Sequence, residues 1–386
     1  MIAEVIVDIA SSEVDRIFDY VCDEGVKPGS RVVVPFGNTH AAGFVMACKE
    51  RSEYPEQKLR RISKVYDELP ALNEECLALT DALAKRYRCP KALVLRLFLP
   101  AEMRTGKVKE RYLRYVAFVK DADTSRAKKQ AAALSYLKEH KKAEGRILDE
   151  MFGAAAIKAL AEKGAVEITR EQVRRSPYEG IAGSDTPHTL TQEQRAAVES
   201  IRASSQTVQL LHGVTGSGKT EIYLTLIAEA LEQDKSAIFL VPEISLTPQM
   251  LSQLRARFGS AVAILHSGLS YGERFDEWWR LRTGEARVAV GARSAIFAPV
   301  DRIGVIVIDE EHDASYTSES TPRYRTYDVA LRRATYHSCK LVLGSATPSV
   351  ETYLDAREGR SNLISLKNRI NSKPMPDIII ADMREE

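Results

Sequence analysis

Short apolar runs dominate both ends of the chain. Residues 2–9 alternate weakly and are rich in Ile and Val. RVVVPFG (31–37) and AAGFVMAC (41–48) are two further β-type runs on either side of the turn-like Gly37-Asn38. Together they predict a small β-rich domain over residues 1 to about 70. From Leu72 to Tyr87 the spacing becomes helical, with Leu72, Cys76, Leu79, Leu83 and Tyr87 on one stripe, and such a helix is expected to pack back on the sheet. Helical patterns follow around Ala127–His140 and Ala154–Lys163, the second ending at Gly164 as a C′ residue. The strand AVEITR and the turn-rich REQVRRSPYEGIAGSDTPH come next. Helix, helix, strand and basic loop fit a winged-helix module, and a small helical linker domain fits them nearly as well. Gly180–His188 reads as an interdomain linker. From Leu190 onward TVQLLHG, SAIFLVP, AVAILH, ARVAVGA, GVIVID and KLVLGS alternate with helical stretches. Fully apolar strands have both faces covered, which predicts a doubly wound parallel sheet. The pattern therefore predicts a multidomain α/β chain divided at 1–104, 105–180 and 181–386.

Composition narrows this picture only slightly. With 55 basic and 53 acidic residues the net charge is +2, so any nucleic-acid partner must be held by local patches. One such patch is the run from Arg104 to Lys129, with nine basic and three acidic residues, although a run of this kind is commonly a solvated face. No apolar stretch approaches the ~18 residues of a membrane span, and no membrane partner is expected. Glu4 and Asp8 interrupt the first apolar stretch and no basic region precedes it, unlike a signal peptide. The five scattered cysteines form no CxxC pair, which suits reduced thiols and predicts no zinc site in this chain.

Three motifs carry candidate chemistry. Gly213-Val-Thr-Gly216-Ser217-Gly218-Lys219-Thr220 matches GxxxxGK[ST], with an apolar strand before it and a helical stretch after it. Its glycines allow several N–H groups to face one phosphate chain, Lys219 can reach the β- and γ-phosphates, and the Thr220 hydroxyl can ligate Mg²⁺. The apolar run Gly304–Ile308 ends in Asp309-Glu310-Glu311-His312, at the carboxyl edge of the predicted sheet. There Asp309 can hold Mg²⁺, and Glu310 can orient and deprotonate an attacking water. A third run ends in Gly344-Ser345-Ala346-Thr347-Pro348, whose hydroxyls could couple the acid cluster to a bound strand.

Taken together, GVTGSGKT, DEEH and GSATPS resemble the first motor lobe of superfamily 2 helicases, a RecA-like lobe. LTQEQRAAV (190–198) looks like the segment that places a glutamine, here Gln194, near adenine. FLVPEISLTPQM, LHSGLSYGER, WWRLRTGEARVAVGARSAIFAP and PRYRTYDVALRRA are similar to the primosomal replication-restart helicases. FDY (18–20), RVVVPFG and KLRRISKV resemble that family's domain for the 3′ end of a DNA strand. The resemblance implies an ATP- and Mg²⁺-dependent 3′→5′ DNA helicase in the bacterial cytoplasm, associated with the nucleoid. It would recognise stalled or repaired forks and initiate primosome assembly. Branched and single-stranded DNA, primosome proteins and the single-stranded-DNA-binding protein are the implied partners. The 3′-end pocket maps onto Phe18, Asp19 and Gly37, with Arg60 where the family has a lysine. Arg293, Arg323, Ser345 and Thr347 are the implied DNA-coupling residues. The loop after DEEH departs from the family, with Thr317 and Tyr327 where a lysine and an arginine are usual. The family's second motor lobe, its γ-phosphate arginine and its zinc ligands have no counterpart here. An N-terminal fragment with little turnover of its own is therefore expected, with zinc confined to the missing part. The alternative is a non-catalytic fork-binding scaffold with a nucleotide switch. Glu310 discriminates between them, since a scaffold needs no acid to activate water. A P-loop small-molecule kinase would leave the GSATPS turn and the Arg- and Tyr-rich segment 316–336 without a role.

Overall fold

The computed structural model describes residues 1–370 except 67, 109, 110, 126 and 176–188. The linker and the distal part of the basic loop lie outside the described residues. Contacts divide the chain into two units, Val108–Pro177 and the remainder.

The larger unit begins with β1 (Ile2–Val7), β2 (Phe18–Val21), β3 (Arg31–Phe36), β4 (Thr39–Lys49) and the short β5 (Arg60–Arg61) and β6 (Lys64–Val65). They form one sheet in the order β5-β2-β1-β4-β3-β6. β3 and β4 make a hairpin closed by Gly37-Asn38, with Gly37 at φ +57°. Ala3, Val5 and Val7 alternate inward to meet Tyr20, Val32, Val34 and Val45. Helix α1 (Glu74–Tyr87) starts at Asn73, whose side chain accepts from Cys76 N at 2.9 Å. The sequence reading missed α2 (Lys91–Phe98), whose Arg96 pairs with the buried Asp8 carboxylate at 2.6 Å, and the short α3 (Ala101–Arg104).

The smaller unit holds β7 (Tyr112–Phe118), α4 (Lys128–His140), β8 (Lys142–Glu144), α5 (Gly145–Phe152), α6 (Ala154–Glu162) and β9 (Val166–Gln172). Its antiparallel sheet runs β8-β7-β9, and Val116, Leu134, Leu137, Leu148, Ile157 and Leu160 form its core. The basic run 104–129 is thus not one surface. Its middle is β7, the central strand, where Arg114 pairs with Asp149 and donates to Gly145 O at 3.0 Å.

The larger unit resumes with α7 (Gln192–Ala203), β10 (Val208–Gly213), α8 (Lys219–Glu232), β11 (Ser236–Leu240), α9 (Pro248–Phe258), β12 (Val262–Leu265), α10 (Tyr271–Arg282), β13 (Val288–Gly291), β14 (Ile303–Ile308), α11 (Thr326–Tyr336), β15 (Lys340–Ser345), α12 (Val350–Arg357) and β16 (Asn362–Leu366). Seven parallel strands lie in the order β12-β13-β11-β14-β15-β10-β16. Leu211, Phe239, Ile264, Val290, Val307 and Val342 are fully buried, as the apolar strands require. The sequence pattern missed β16, a half-buried edge strand.

Helix α1 corrects one expectation. Its contact is with the second sheet's helices as well as with α2, because polar groups on it find partners there. Glu75 accepts from Arg333 of α11 through both carboxylate oxygens, each at 2.7 Å, and both residues are buried. Tyr87 Oη donates to Asp328 at 3.0 Å. Trp278 Nε1 of α10 donates to Phe98 O at 2.8 Å, and Phe98 meets Phe297 edge-on at 5.3 Å. The N-terminal sheet and the parallel sheet therefore belong to one unit.

Candidate nucleotide site and DNA-end pocket

The phosphate-loop motif forms the turn between β10 and α8, at the carboxyl edge of the parallel sheet. Gly216 at φ +81° and Gly218 at φ +78° permit the curl. Lys219 opens α8, and its ammonium donates to Gly213 O at 2.9 Å within the loop. Thr220 follows it, half-buried. Ser217 Oγ is buried without a hydrogen-bond partner. Gln194 was expected beside adenine. Its amide donates to the carbonyls of Ser217 and Gly218, both at 3.2 Å, and its Oε1 accepts from Thr191 N at 2.9 Å. A capping box thus ties α7 directly to the phosphate loop.

Asp309 lies at the end of β14, across the adjacent strand β15 from β10. Burial pushes its carboxyl up. Glu310 adds to this, while the Tyr223 hydroxyl, donating at 3.0 Å, and the Lys219 charge pull it back. The sequence reading missed Tyr223, the one aromatic residue on α8, and Tyr316, which donates to Asp309 O at 2.9 Å. Tyr223 also explains Gly344, because a Cβ there would fall 1.5 Å from the Tyr223 hydroxyl. Glu310 sits at φ +46°, an uncommon conformation for a residue with a side chain. Its carboxylate lies 3.7 Å from His312 Nδ1.

The third motif meets the second through His312. Ser345 Oγ is 2.8 Å from Nδ1, and Thr347 Oγ1 is 3.5 Å from Nε2. Glu311 points the other way and accepts from Ser349 N at 2.7 Å, fixing the start of α12. Arg293 donates to Ser315 O and Thr317 O, binding the loop after DEEH, while Arg323 is exposed on that loop and donates to Glu319 O. Of the four expected coupling residues, Ser345 and Thr347 thus join the acid cluster, and Arg293 and Arg323 join the loop beyond it.

Phe18, Asp19, Gly37 and Arg60 line one cavity of about 430 Å³ in the N-terminal sheet. Arg60 donates to Gly37 O at 2.8 Å. Phe18 and Tyr20 join the N-terminal core, and the Asp19 carboxylate between them on the strand takes polar partners. Lys49 Nζ lies 2.9 Å from Asp19 Oδ2, and Ser52 Oγ donates to the same oxygen. Lys49 also reaches Glu4 at 2.7 Å, and these bonds raise its pKa. The sequence reading missed Lys49 and Ser52. The register, which pairs Glu4 with Asp19 across β1 and β2, demands a cation near two like charges.

Residues 4–100 match the 3′ DNA-binding domain model of PriA proteins, and residues 191–356 match the DEAD/DEAH box helicase model. The replication restart protein PriA of Bacillus subtilis is 38% identical, over 100% of this chain and 58% of its own length. The chain belongs to the PriA family. The Haemophilus influenzae member is 33% identical over 96% of this chain and 53% of its own length. The Synechocystis member is 43% identical over 60% of this chain and 29% of its own. The chain thus spans little more than half the length of PriA proteins matched along its whole extent. Its larger unit joins the family's 3′ DNA-binding domain to a RecA-like helicase lobe. Among the described residues, no helix is long and apolar enough to cross a membrane.

Proposed function

We propose that this chain is the DNA-recognising and ATP-binding portion of a 3′→5′ helicase. It recognises stalled or repaired forks and starts primosome assembly for replication restart. One observation carries the reading: a phosphate loop facing a buried Asp309 and a pocket holding Phe18, Asp19, Gly37 and Arg60 occur in one compact unit. Cytoplasmic bacterial DNA is the setting that this reading implies.

ATP and Mg²⁺ fit the residues present. The unpartnered Ser217 hydroxyl lies in the loop that would wrap the phosphates, and the burial-penalised Asp309 carboxylate gains from a cation beside it. Thr220 and Asp309 would hold Mg²⁺, which when bound neutralises charge on the β- and γ-phosphate oxygens. Lys219 exchanges the Gly213 carbonyl for phosphate oxygens. Glu310 orients a water for in-line attack on the γ-phosphorus and accepts its proton as the bond to the β-phosphate oxygen breaks. Gln194 acts on the base through the phosphate loop that it holds. His312, with Ser345 and Thr347, passes the state of the acid cluster to the third motif, and Arg293 and Arg323 pass it along the loop toward DNA.

The unit Val108–Pro177 supports a winged-helix reading. The sequence β8, α5, α6, β9 supplies helix pair and strands, and β7 between β8 and β9 takes the place of the third strand, entering from the N-terminal side. In the pocket, Asp19 meets the free 3′ hydroxyl and Arg60 the neighbouring phosphate. The chain should bind ATP and ADP, turn over little ATP by itself, and prefer forks whose leading strand ends in a 3′ hydroxyl at the junction. Fork titrations with 3′-hydroxyl and 3′-phosphate ends test this, and equal affinities would refute the end-recognition reading. Robust unwinding by these 386 residues alone would refute the need for more chain.

A further inference from the structure

The DNA-end pocket contains an aromatic ring that the role of Phe18 leaves unexplained. Phe18 is poorly placed to stack on a base. Its ring meets Phe36 edge-on at 5.3 Å, and the Arg16 guanidinium stands 5.0 Å from its centroid. Tyr54 lines the same cavity and keeps 64% of its surface exposed, so its ring face is open to a ligand in that cavity. Its backbone is not loose. Tyr54 N donates to Ser52 Oγ at 3.1 Å, and Ser52 Oγ in turn donates to Asp19. The Ser52 hydroxyl therefore links the Asp19 carboxylate to the backbone that carries this ring. Among the described residues, the cavity's charged lining is Arg16, Lys58 and Arg60 against Asp19, and Lys49 offsets Asp19. An exposed ring beside cations and one oriented carboxylate matches the parts of a terminal nucleotide: a flat base, an anionic phosphate and a hydroxyl donor.

We propose that Tyr54 is the platform on which the base of the 3′-terminal nucleotide stacks, with Lys58 and Arg60 taking the phosphate on its 5′ side and Phe18 serving as a wall. This rests on the reading of the cavity as the DNA-end pocket. Every base offers a flat face, so a stacking platform accepts any terminal base, as a sensor of arbitrary forks requires. Fluorescence of 2-aminopurine placed at the 3′ terminus of a fork's leading strand reports the stack directly. The unmutated 386-residue chain should quench it, and quench the same base one nucleotide inward much less. Tyr54→Ala should abolish the terminal quench and weaken 3′-hydroxyl fork binding by about 5- to 100-fold, whereas Tyr54→Trp should retain both. Phe18→Leu should keep the terminal quench. Nucleotide binding measured in parallel reports that each variant is folded. If 3′-hydroxyl and 3′-phosphate forks bind equally, the pocket reading itself fails. If that discrimination holds but Tyr54→Ala quenches and binds like the unmutated chain, the Tyr54 assignment alone is overturned.

Discussion

Replacing Glu75 by alanine should cost this protein far more than a surface salt bridge would. The Glu75 side chain is 5% exposed and that of Arg333 not at all. Burial alone would raise the Glu75 pKa, but the Arg333 guanidinium and the His337 ring at 3.0 Å outweigh it and bring it from 4.5 to about 2. That difference corresponds to about 3 kcal/mol of folding stability at neutral pH. Removing one member of a buried pair typically costs ~3–5 kcal/mol, because the other charge is stranded. The two routes agree. The sign follows from the depressed value: Glu75's contribution is fully present above pH ~4.5 and is lost as pH falls toward about 2. Denaturant titration followed by tryptophan fluorescence is suited to the test, since both tryptophans, Trp278 and Trp279, lie on α10, and Trp278 bonds to Phe98. At pH 7 the variant should unfold with a loss of ~3–5 kcal/mol, and at pH 3 the gap to the unmutated chain should be narrower by about 2 kcal/mol. A loss below ~1 kcal/mol, or a gap independent of pH, would refute the reasoning.

Other outcomes follow from the site. Lys219→Ala should weaken ATP binding by roughly 10- to 100-fold in calorimetric titration, since a charged hydrogen-bond donor is removed. Asp309→Asn should raise the thermal midpoint at pH 7, because burial penalises the ionised carboxylate, while Mg²⁺ should no longer strengthen nucleotide binding. If Val108–Pro177 contacts DNA phosphates, fork affinity should fall by ~0.9 log units per neutralised phosphate for each log unit of salt. A flat salt dependence would leave its basic residues as a solvated face.

The phosphate loop and the acid cluster were legible because each needs particular residue types at fixed spacing beside an apolar strand. The four pocket residues were legible only through resemblance. Their partners were not, because Lys49 and Ser52 reach Asp19 by strand register rather than by neighbourhood in sequence. The stripe on α1 announced a buried face but could not say against what. Glu75 reads as a solvent residue until Arg333, 258 positions away, is folded onto it. β7 was hidden because charge patterning averages over a window. Arg114 within it is paired internally, and only tertiary contact separates it from its exposed neighbours. Gln194 was singled out by resemblance alone, and the bonds from its amide to the loop carbonyls are a detail set by the capping geometry of α7.

The neighbours of β10 set a timetable for the growing chain. The strand that carries the phosphate loop is flanked by β15 and β16, and neither begins before residue 340. Past β16 the chain returns to the loop itself: Val214 N donates to Leu366 O, Ile370 N donates to Gly216 O, and Glu193 accepts from Lys367 N. A ribosome that has just released GVTGSGKT has therefore made a nucleotide site with neither of its lateral supports. Parallel pairing over such separations is slow to nucleate, and its unpaired edges are exposed meanwhile. The N-terminal sheet, whose strands all lie before residue 66, has no such wait. During synthesis the chain can thus own a folded N-terminal sheet and its cavity well before it owns a supported phosphate loop. A truncation meant to keep the contacts around the phosphate loop must include Ile370, whereas one meant to retain only the six-stranded sheet can stop far earlier.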